Sequence, residues 1–279
     1  MLIKPSELRK KARSKQGTRV LFKSAVEYYL YCPHFAYVIT KQKIRPSEMT
    51  HHWPLKVSTQ RAFSELMALN SLNDGLTYEE VEEIFIRHWV EATKGKNVVL
   101  HKIKEAALVV DTVNMLYNIM EKLPPVGSFL THQNYKYELL YEYPDRFGTN
   151  VRLRGTLAGS AYDPSNKGTS YTISALYPLV DLSPDLLSNY PPVCFDFIYG
   201  TKIHRRRTNR HRKIWVDLSK GTVVMLGTNV RGFQFRTELV PALVDGMRAE
   251  NYRVRNVGPH CYRCPLFNDC IRHEKYAYL

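Results

Sequence analysis

The chain has 279 residues, a hydrophobic share of 44% and a formal net charge of +14 at pH 7. This size and composition predict a globular protein with a core of its own. No apolar stretch reaches the roughly 18–20 residues that a membrane-spanning helix needs, and the first residues lack the apolar centre of a secretion signal. We therefore expect no membrane partner and a cytoplasmic location (host cytoplasm if the protein is virus-encoded), where thiols stay reduced.

A mainly helical first part is predicted for residues 1–130, because apolar residues recur there at helical spacing. The expected helices are Ser24–Cys32, Ser58–Leu69, Thr77–Val90 and Val98–Leu123. Ser24 is the candidate N-cap of the first helix. Thr77 and Glu80 form the capping-box pattern at the start of the third, in which each side chain bonds the other's backbone N–H. Pro124 and Pro125 end the fourth, since proline cannot continue a helix.

Near residue 133 the apolar pattern changes to alternation with polar neighbours, which is typical of strands. The expected strands are residues 135–143, Val151–Ala158, Ser170–Tyr177, Val193–Tyr199, Lys213–Leu218 and Thr222–Leu226. A helix is expected at Thr237–Ala249, with Pro241 in its first turn, where proline is tolerated. Without a visible repeat or long linker, we expect one domain over residues 1–279, with an α/β core at 131–250 and a C-terminal cysteine segment at 251–279.

Four of the five cysteines lie near the two ends of the chain. Cys32 stands in a Tyr-Cys-Pro sequence, and Cys261, Cys264 and Cys270 follow the spacing C-x2-C-x5-C. Thiolates are soft ligands that suit iron–sulfur clusters and zinc, whereas the bland alternative is simple burial of free thiols. The triplet leaves one coordination position that Cys32 would fill, so a metal here would tie both ends of the chain together. Cys194 lies in an apolar run and is expected in the core.

Residues 202–213 form a dense basic segment. Besides two histidines it contains Lys202, Arg205, Arg206, Arg207, Arg210, Arg212 and Lys213. No acidic residue occurs between Asp196 and Asp217. Such a density of positive charge repels itself unless an anion neutralises it, and arginine binds phosphate through paired hydrogen bonds. We expect a surface loop that binds nucleic acid, with DNA as the expected form. A solvated loop and a docking surface for an acidic protein are the alternatives.

The cysteine frame resembles that of RecB-like nucleases of the PD-(D/E)-x-K superfamily, in the branch that carries a 4Fe–4S cluster and includes AddB-type and CRISPR-adaptation nucleases. That branch has an early Tyr-x-x-Cys-Pro-x-x-x-Tyr motif, matched here by residues 29–37, and a late Gly-Pro-x-Cys-x-x-Cys-Pro motif, matched by 258–265. The resemblance spans nearly the whole chain. It implies a restriction-endonuclease-like mixed α/β core at 131–250. It also implies a 4Fe–4S cluster, with zinc as the alternative, on Cys32, Cys261, Cys264 and Cys270.

The catalytic residues of that family have no counterpart here. Active members carry Gly-x-x-Asp on one strand and Asp/Glu-x-Lys on the next, which hold Mg²⁺ on the scissile phosphate and position the attacking water. The matching positions end in Ala158 and run from Ser174 to Leu176, and none of the 26 acidic residues is followed two positions later by lysine. We therefore expect no catalytic residues, unless one of three nearby acids has taken over the role: Glu138, Asp163 or Asp196.

The resulting expectation is a catalytically degenerate iron–sulfur protein that binds nucleic acid or serves as an architectural subunit of a DNA-handling assembly with other proteins. A fold that keeps its frame and loses its active site would act through its surface. Two alternatives stay open: an active, Mg²⁺-dependent DNA exonuclease with a relocated acidic site, and a purely structural component that docks onto other proteins.

Overall fold

The computed structural model describes most of the chain, namely residues 19–39, 48–70, 75–100, 104–123, 130–141, 151–163, 169–178, 180, 182, 190–204, 210–226, 243, 247, 258–267 and 270. Only the backbone is described at residues 19, 48, 99, 130–141, 151, 162–163, 201–204, 210 and 259. The helix expected at Thr237–Ala249 therefore lies largely outside the described residues, although Leu243 and Met247 are helical and buried.

A six-stranded mixed sheet forms the centre of the described part of the chain. Its strands are β1 (Arg19–Phe22), β4 (Leu130–Tyr141), β5 (Val151–Asp163), β6 (Thr169–Leu176), β7 (Arg210–Asp217) and β8 (Thr222–Leu226). Strand β4 pairs with one edge of β5 in antiparallel orientation. The other edge of β5 pairs first with β1, in parallel orientation, and then with β6, in antiparallel orientation. β7 runs parallel to β6, and β8 runs antiparallel to β7. Strands β2 (Glu48–Thr50) and β3 (Asn97–Val99) form a separate parallel pair.

The described α-helices are α1 (Lys23–Tyr31), α2 (Pro33–Tyr37), α3 (His52–Asn70), α4 (Tyr78–Thr93), α5 (Glu105–Lys122) and α6 (Pro191–His204), and a 3-10 helix spans Pro259–Arg263. Helix α6 connects β6 to β7, as a parallel strand pair requires a crossover. No described helix has the length and apolarity to cross a lipid bilayer.

The sheet is covered on both faces. Helices α3, α4 and α5 pack on one face through the main core, which includes Phe63, Phe85, Leu116 and the strand residues Ile173, Ile214 and Val216. Trp215, which alternates with Ile214 and Val216, packs instead against Val193 and Phe197 of α6. The expected mixed α/β fold is confirmed at this level, and Cys194, which was expected in the core, is buried.

The strand expected at Val193–Tyr199 is wrong, since this segment belongs to helix α6. Residues 190–197 are all buried. A short apolar run has the same pattern in a buried strand and in a buried helix, so periodicity cannot separate the two. The parallel pairing of β6 with β7 requires a crossover between them, and the helix supplies it.

Two helix boundaries also differ from expectation. Helix α1 begins at Lys23 with Phe22 as its N-cap and no side-chain cap, so Ser24 does not cap it. The stretch Val98–Leu123 divides into the end of β3 and helix α5, because the β-branched residues at its start pair with β2. The Thr77 capping box is confirmed: Glu80 N donates to Thr77 Oγ1 at 3.2 Å, and Thr77 N donates to the Glu80 carboxylate at 2.8 Å.

Gly200 gives a test of how closely α6 packs on β6. A Cβ added at Gly200 would come within 1.9 Å of Thr172 Oγ1. In an open helix, Gly→Ala stabilises by about 0.8–1 kcal/mol. Here we expect Gly200→Ala to destabilise the fold by about 1–3 kcal/mol, because overpacking outweighs the gain in helix propensity. Urea unfolding followed by circular dichroism measures the change.

The control is the double variant Gly200→Ala/Thr172→Ala, together with Thr172→Ala alone. Removing the Thr172 hydroxyl and methyl groups makes room for the new Cβ, so the double variant should lose less stability than the two single losses added together. Strictly additive losses, or a stabilising Gly200→Ala, would contradict the close packing of α6.

Candidate functional site

Cys32 lies at the junction of helices α1 and α2. It is the C-cap of α1, where its backbone N–H bonds Tyr28 O at 2.9 Å, and it is also the N-cap of α2 in an extended conformation. Pro33 occupies the first position of α2, where its missing N–H is tolerated. The Cys-Pro sequence thus ends one helix, starts the next and places the thiol at the turn between them.

The late cysteines lie on a series of tight turns. Cys261 belongs to the 3-10 helix and Cys264 follows it directly, with Cys264 N donating to Cys261 O at 2.9 Å. Phe267 N bonds Cys264 O at 3.1 Å, and Cys270 N bonds Leu266 O at 2.8 Å. These local bonds shorten the path between the cysteines, so the triplet stays compact.

The early and late cysteines meet in one apolar cluster. Buried Cys264 packs with Tyr31, Phe35, Val38 and Leu266, and partly buried Cys32 and Cys270 pack against the same cluster. Tyr31 joins the two ends of the domain, since its hydroxyl donates to His260 O at 2.6 Å and its ring meets the imidazole edge-on at 4.9 Å. The structure thus brings Cys32 close to the C-terminal triplet. Tyr31 and His260, which make the contact between these segments, are 229 positions apart in the sequence.

The other three thiols lie close enough to Cys264 to affect its ionisation. Burial raises the pKa of the Cys264 thiol to about 12. The remaining thiols of the set, Cys270, Cys32 and Cys261, add to this rise through the negative charge that they carry when ionised. Four thiolates at this spacing would repel one another, and a bound cation would remove the repulsion.

The donor set suits a metal held by thiolates. Gly258 N lies 3.4 Å from Cys261 Sγ, and the backbone of Leu266 donates to the Cys264 sulfur. Hydrogen bonds of this kind tune iron–sulfur clusters, and an apolar shell limits their exposure to water. Among the described residues, no three His, Cys, Asp or Glu side chains are grouped as a formed metal site. A metal on these cysteines is therefore a proposal, taken up below.

A second feature is a cavity of about 1050 Å³ between helices α1, α3 and α4 and the sheet. Two of the positions that match catalytic residues in active RecB-like nucleases, Ala158 and Leu176, line this cavity. Ser174 does not line it: this side chain is fully buried and donates to Asp196 Oδ2 at 2.6 Å. The acidic lining residues, Glu27 and Glu65, come from helices α1 and α3 and not from the strands.

Asp196 is held by a buried ion pair. Lys23 Nζ lies 2.7 Å from Asp196 Oδ2 and donates to Thr156 O at 3.0 Å. The Asp196 side chain has no exposed surface. Of the three acids considered as relocated catalytic residues, only Asp196 has a described side chain, because those of Glu138 and Asp163 lie outside the described residues. Its single carboxylate is neutralised by Lys23.

A second buried pair lies about one turn further along α1. Lys56 of α3 pairs with Glu27 of α1, and both side chains are at most 5% exposed. Lys56 also donates to Tyr177 O at 2.7 Å. Sequence analysis missed both lysines. A lysine on the apolar face of a helix is a signal, yet Glu27 and Lys56 lie 29 positions apart and only the fold pairs them.

The described part of the basic segment belongs to two elements. Lys202 belongs to α6, and Arg210, Arg212 and Lys213 belong to β7. The loop expected over residues 202–213 is therefore shorter than predicted at both of its ends. Arg205, Arg206 and Arg207 lie outside the described residues. Arg212 is exposed, whereas Lys213 is half-buried, with its ammonium 6.0 Å from the centre of the Phe197 ring. Burial lowers the pKa of Lys213.

The Lys23–Asp196 pair yields a test by substitution. Lys23→Met should cost about 3–5 kcal/mol, because it leaves the Asp196 charge buried without a partner. Lys23→Met/Asp196→Asn should recover most of that loss, since Asn still accepts the Ser174 hydroxyl and brings no charge. Thermal and urea unfolding measure both. The exposed pair of Arg61 and Glu91 is the matched control, and Arg61→Met should change stability little. A double variant no more stable than Lys23→Met would contradict this account.

Comparison of the sequence with protein-family models and with curated proteins found no match in either. The resemblance to RecB-like nucleases therefore rests on the motifs around Cys32 and the C-terminal cysteines. Family, cofactor and activity accordingly enter as proposals.

Proposed function

We propose that this chain is a catalytically degenerate RecB-like iron–sulfur protein that binds nucleic acid or acts as an architectural subunit of a DNA-handling assembly. The observation that carries the proposal is the meeting of Cys32 with Cys264 and Cys270 in one apolar cluster, with Cys261 close enough to raise the pKa of Cys264. Thiols from the two ends of a domain gain little from meeting as free side chains. Bound as thiolates to one 4Fe–4S cluster, with zinc as the alternative, they would fasten the termini together.

The order of elements supports the nuclease-like part of the proposal. Antiparallel β4, β5 and β6 are followed by helix α6 and by β7 parallel to β6. A restriction-endonuclease-like core would have its metal-binding residues on β5 and β6. In this chain Ala158, Ser174 and Leu176 hold those positions, and their side chains cannot bind Mg²⁺.

The exonuclease alternative has less support. A divalent metal that activates water on a phosphate is normally held by several carboxylates or other oxygen ligands. Two acids with described side chains are buried near β5 and β6. Asp217 accepts hydrogen bonds from Ser219 and from Lys220 N, and Lys23 already neutralises the charge of Asp196. An ammonium group at this place would repel Mg²⁺, which favours binding over catalysis.

Nucleic-acid binding draws support from charge. The chain carries a net charge of +14, and residues 202–213 concentrate seven lysines and arginines. Arg212, which lies in β7, is exposed. Phosphate backbones neutralise such charge with release of counterions, so DNA is the proposed partner. Docking onto an acidic protein of the same assembly is the alternative for this surface.

The cluster proposal is tested by metal content. Protein purified without oxygen should contain iron and sulfide, and Cys32→Ala and Cys261→Ala should each lose most of the iron and unfold at markedly lower temperature. Cys194→Ala is the matched control: it removes a buried thiol outside the set, so it should keep its iron. Elemental analysis and visible absorption measure the outcome. Equal iron in all three variants contradicts the proposal, and stoichiometric zinc without iron selects the zinc alternative.

The basic segment is tested by the salt dependence of binding. Contacts with phosphate should give sequence-independent affinity that falls with salt by a log–log slope of about −0.7 to −0.9 per neutralised phosphate. Replacing Arg205, Arg206 and Arg207 with alanine should weaken binding and flatten this slope, while iron content stays unchanged. Fluorescence anisotropy with labelled DNA at several salt concentrations measures both. An unchanged affinity and slope would give the protein-docking alternative precedence.

A further inference from the structure

The cavity between α1, α3, α4 and the sheet has an electrostatic character that the proposed function does not use. Its volume of about 1050 Å³ is at the upper end of the range of about 300–1,000 Å³ typical of small-molecule sites. The basic side chains in its lining are Lys23, Lys56, Arg61 and Arg154, against two acidic ones, Glu27 and Glu65. Lys23, Lys56 and Arg61 are each paired with a carboxylate, so the charges at the cavity are closely balanced.

The two buried lysines retain capacity to bind a ligand. An ammonium group has three donors. Among the described residues, Lys23 has two acceptors, Thr156 O and Asp196, and Lys56 likewise has two, Glu27 and Tyr177 O. Each ammonium therefore keeps one N–H that an oxygen of a bound anion would accept.

One further group at the cavity suits the same ligand. Phe22 also lines the cavity directly before Lys23, and its side chain is 52% exposed. An exposed aromatic ring next to a cationic group is the arrangement that stacks on a base while the charge holds its phosphate.

We propose that this cavity binds the phosphate monoester of a nucleotide without a metal ion. Lys23 and Lys56 donate to the phosphate oxygens, and the Phe22 ring stacks on the base. The remaining N–H donors of the two ammonium groups bind the phosphate directly, so no carboxylates are needed to hold a cation. The ligand is either a free mononucleotide or the phosphorylated end of a strand. This proposal is independent of the cysteine cluster and of residues 202–213.

The test uses the full chain in EDTA. Its probes are dAMP, inorganic phosphate, a short single strand without a terminal phosphate, and the same strand with a terminal phosphate at one end or the other. The phosphorylated strand should bind about tenfold more tightly than the unphosphorylated strand, or dAMP about tenfold more tightly than inorganic phosphate, or both. The reason is that charge-assisted bonds and stacking act together. Competition by dAMP identifies a mononucleotide site. Binding of the phosphorylated strand without such competition identifies a strand end.

Two double variants locate the binding without leaving a buried charge alone: Lys23→Met/Asp196→Asn and Lys56→Met/Glu27→Gln. Each keeps the net charge of the chain, so a loss of the preference for phosphate is local to the cavity. Phe22→Leu should lower affinity for dAMP severalfold and leave that for inorganic phosphate unchanged. The comparison of probes on the unaltered chain stands even if one double variant does not fold.

The outcomes separate this proposal from the previous one. Equal binding of phosphorylated and unphosphorylated strands with no binding of dAMP overturns the cavity proposal, as does a preference that disappears in EDTA or survives in both double variants. The alanine variant of Arg205, Arg206 and Arg207 should weaken both strands equally and keep the preference. If that variant binds normally, the basic segment fails as a DNA contact while the cavity proposal stands.

Discussion

Buried charges fix the position of helix α1, and both candidate sites depend on that position. Lys23 at the start of α1 bonds β5 and pairs with Asp196 in α6, and Glu27 in its middle pairs with Lys56 of α3. An ion pair out of water tolerates no loss of one partner, because a lone buried charge costs about 3–5 kcal/mol. The helix therefore cannot slide over the sheet, and its far end holds Cys32 against the C-terminal turns.

The same lysines change the chemistry expected at this place in the fold. Carboxylates on adjacent strands create a negative site that attracts Mg²⁺, whereas ammonium groups create a positive site that repels it and attracts phosphate. The proposed loss of nuclease chemistry is thus more than the absence of carboxylates at Ala158 and Ser174. Lys23 and Lys56 are paired with Asp196 and Glu27, so these two acids are not free to attract a metal ion.

Local sequence signals predicted the local parts of the fold. The capping box at Thr77 formed because its two partners lie within one helical turn. Strands β4 to β8 follow alternation and turn residues, and Cys194 is in the core as its apolar neighbours indicated. The prediction failed at Val193–Tyr199, where every side chain is apolar or buried and neither period stands out. There the parallel pairing of two other strands required a helix.

The sequence by itself determined the spacing of the cysteines, the density of charge at residues 202–213 and the absence of an Asp/Glu-x-Lys motif. Each of these properties depends on residues that are close together in the sequence, so it can be recognised without the fold. Only the tertiary structure decided that Cys32 meets Cys264, that Lys23 pairs with Asp196, and that Glu27 pairs with Lys56. The partners lie far apart along the chain, and packing of helices on the sheet chooses among the many charges and thiols that each could meet.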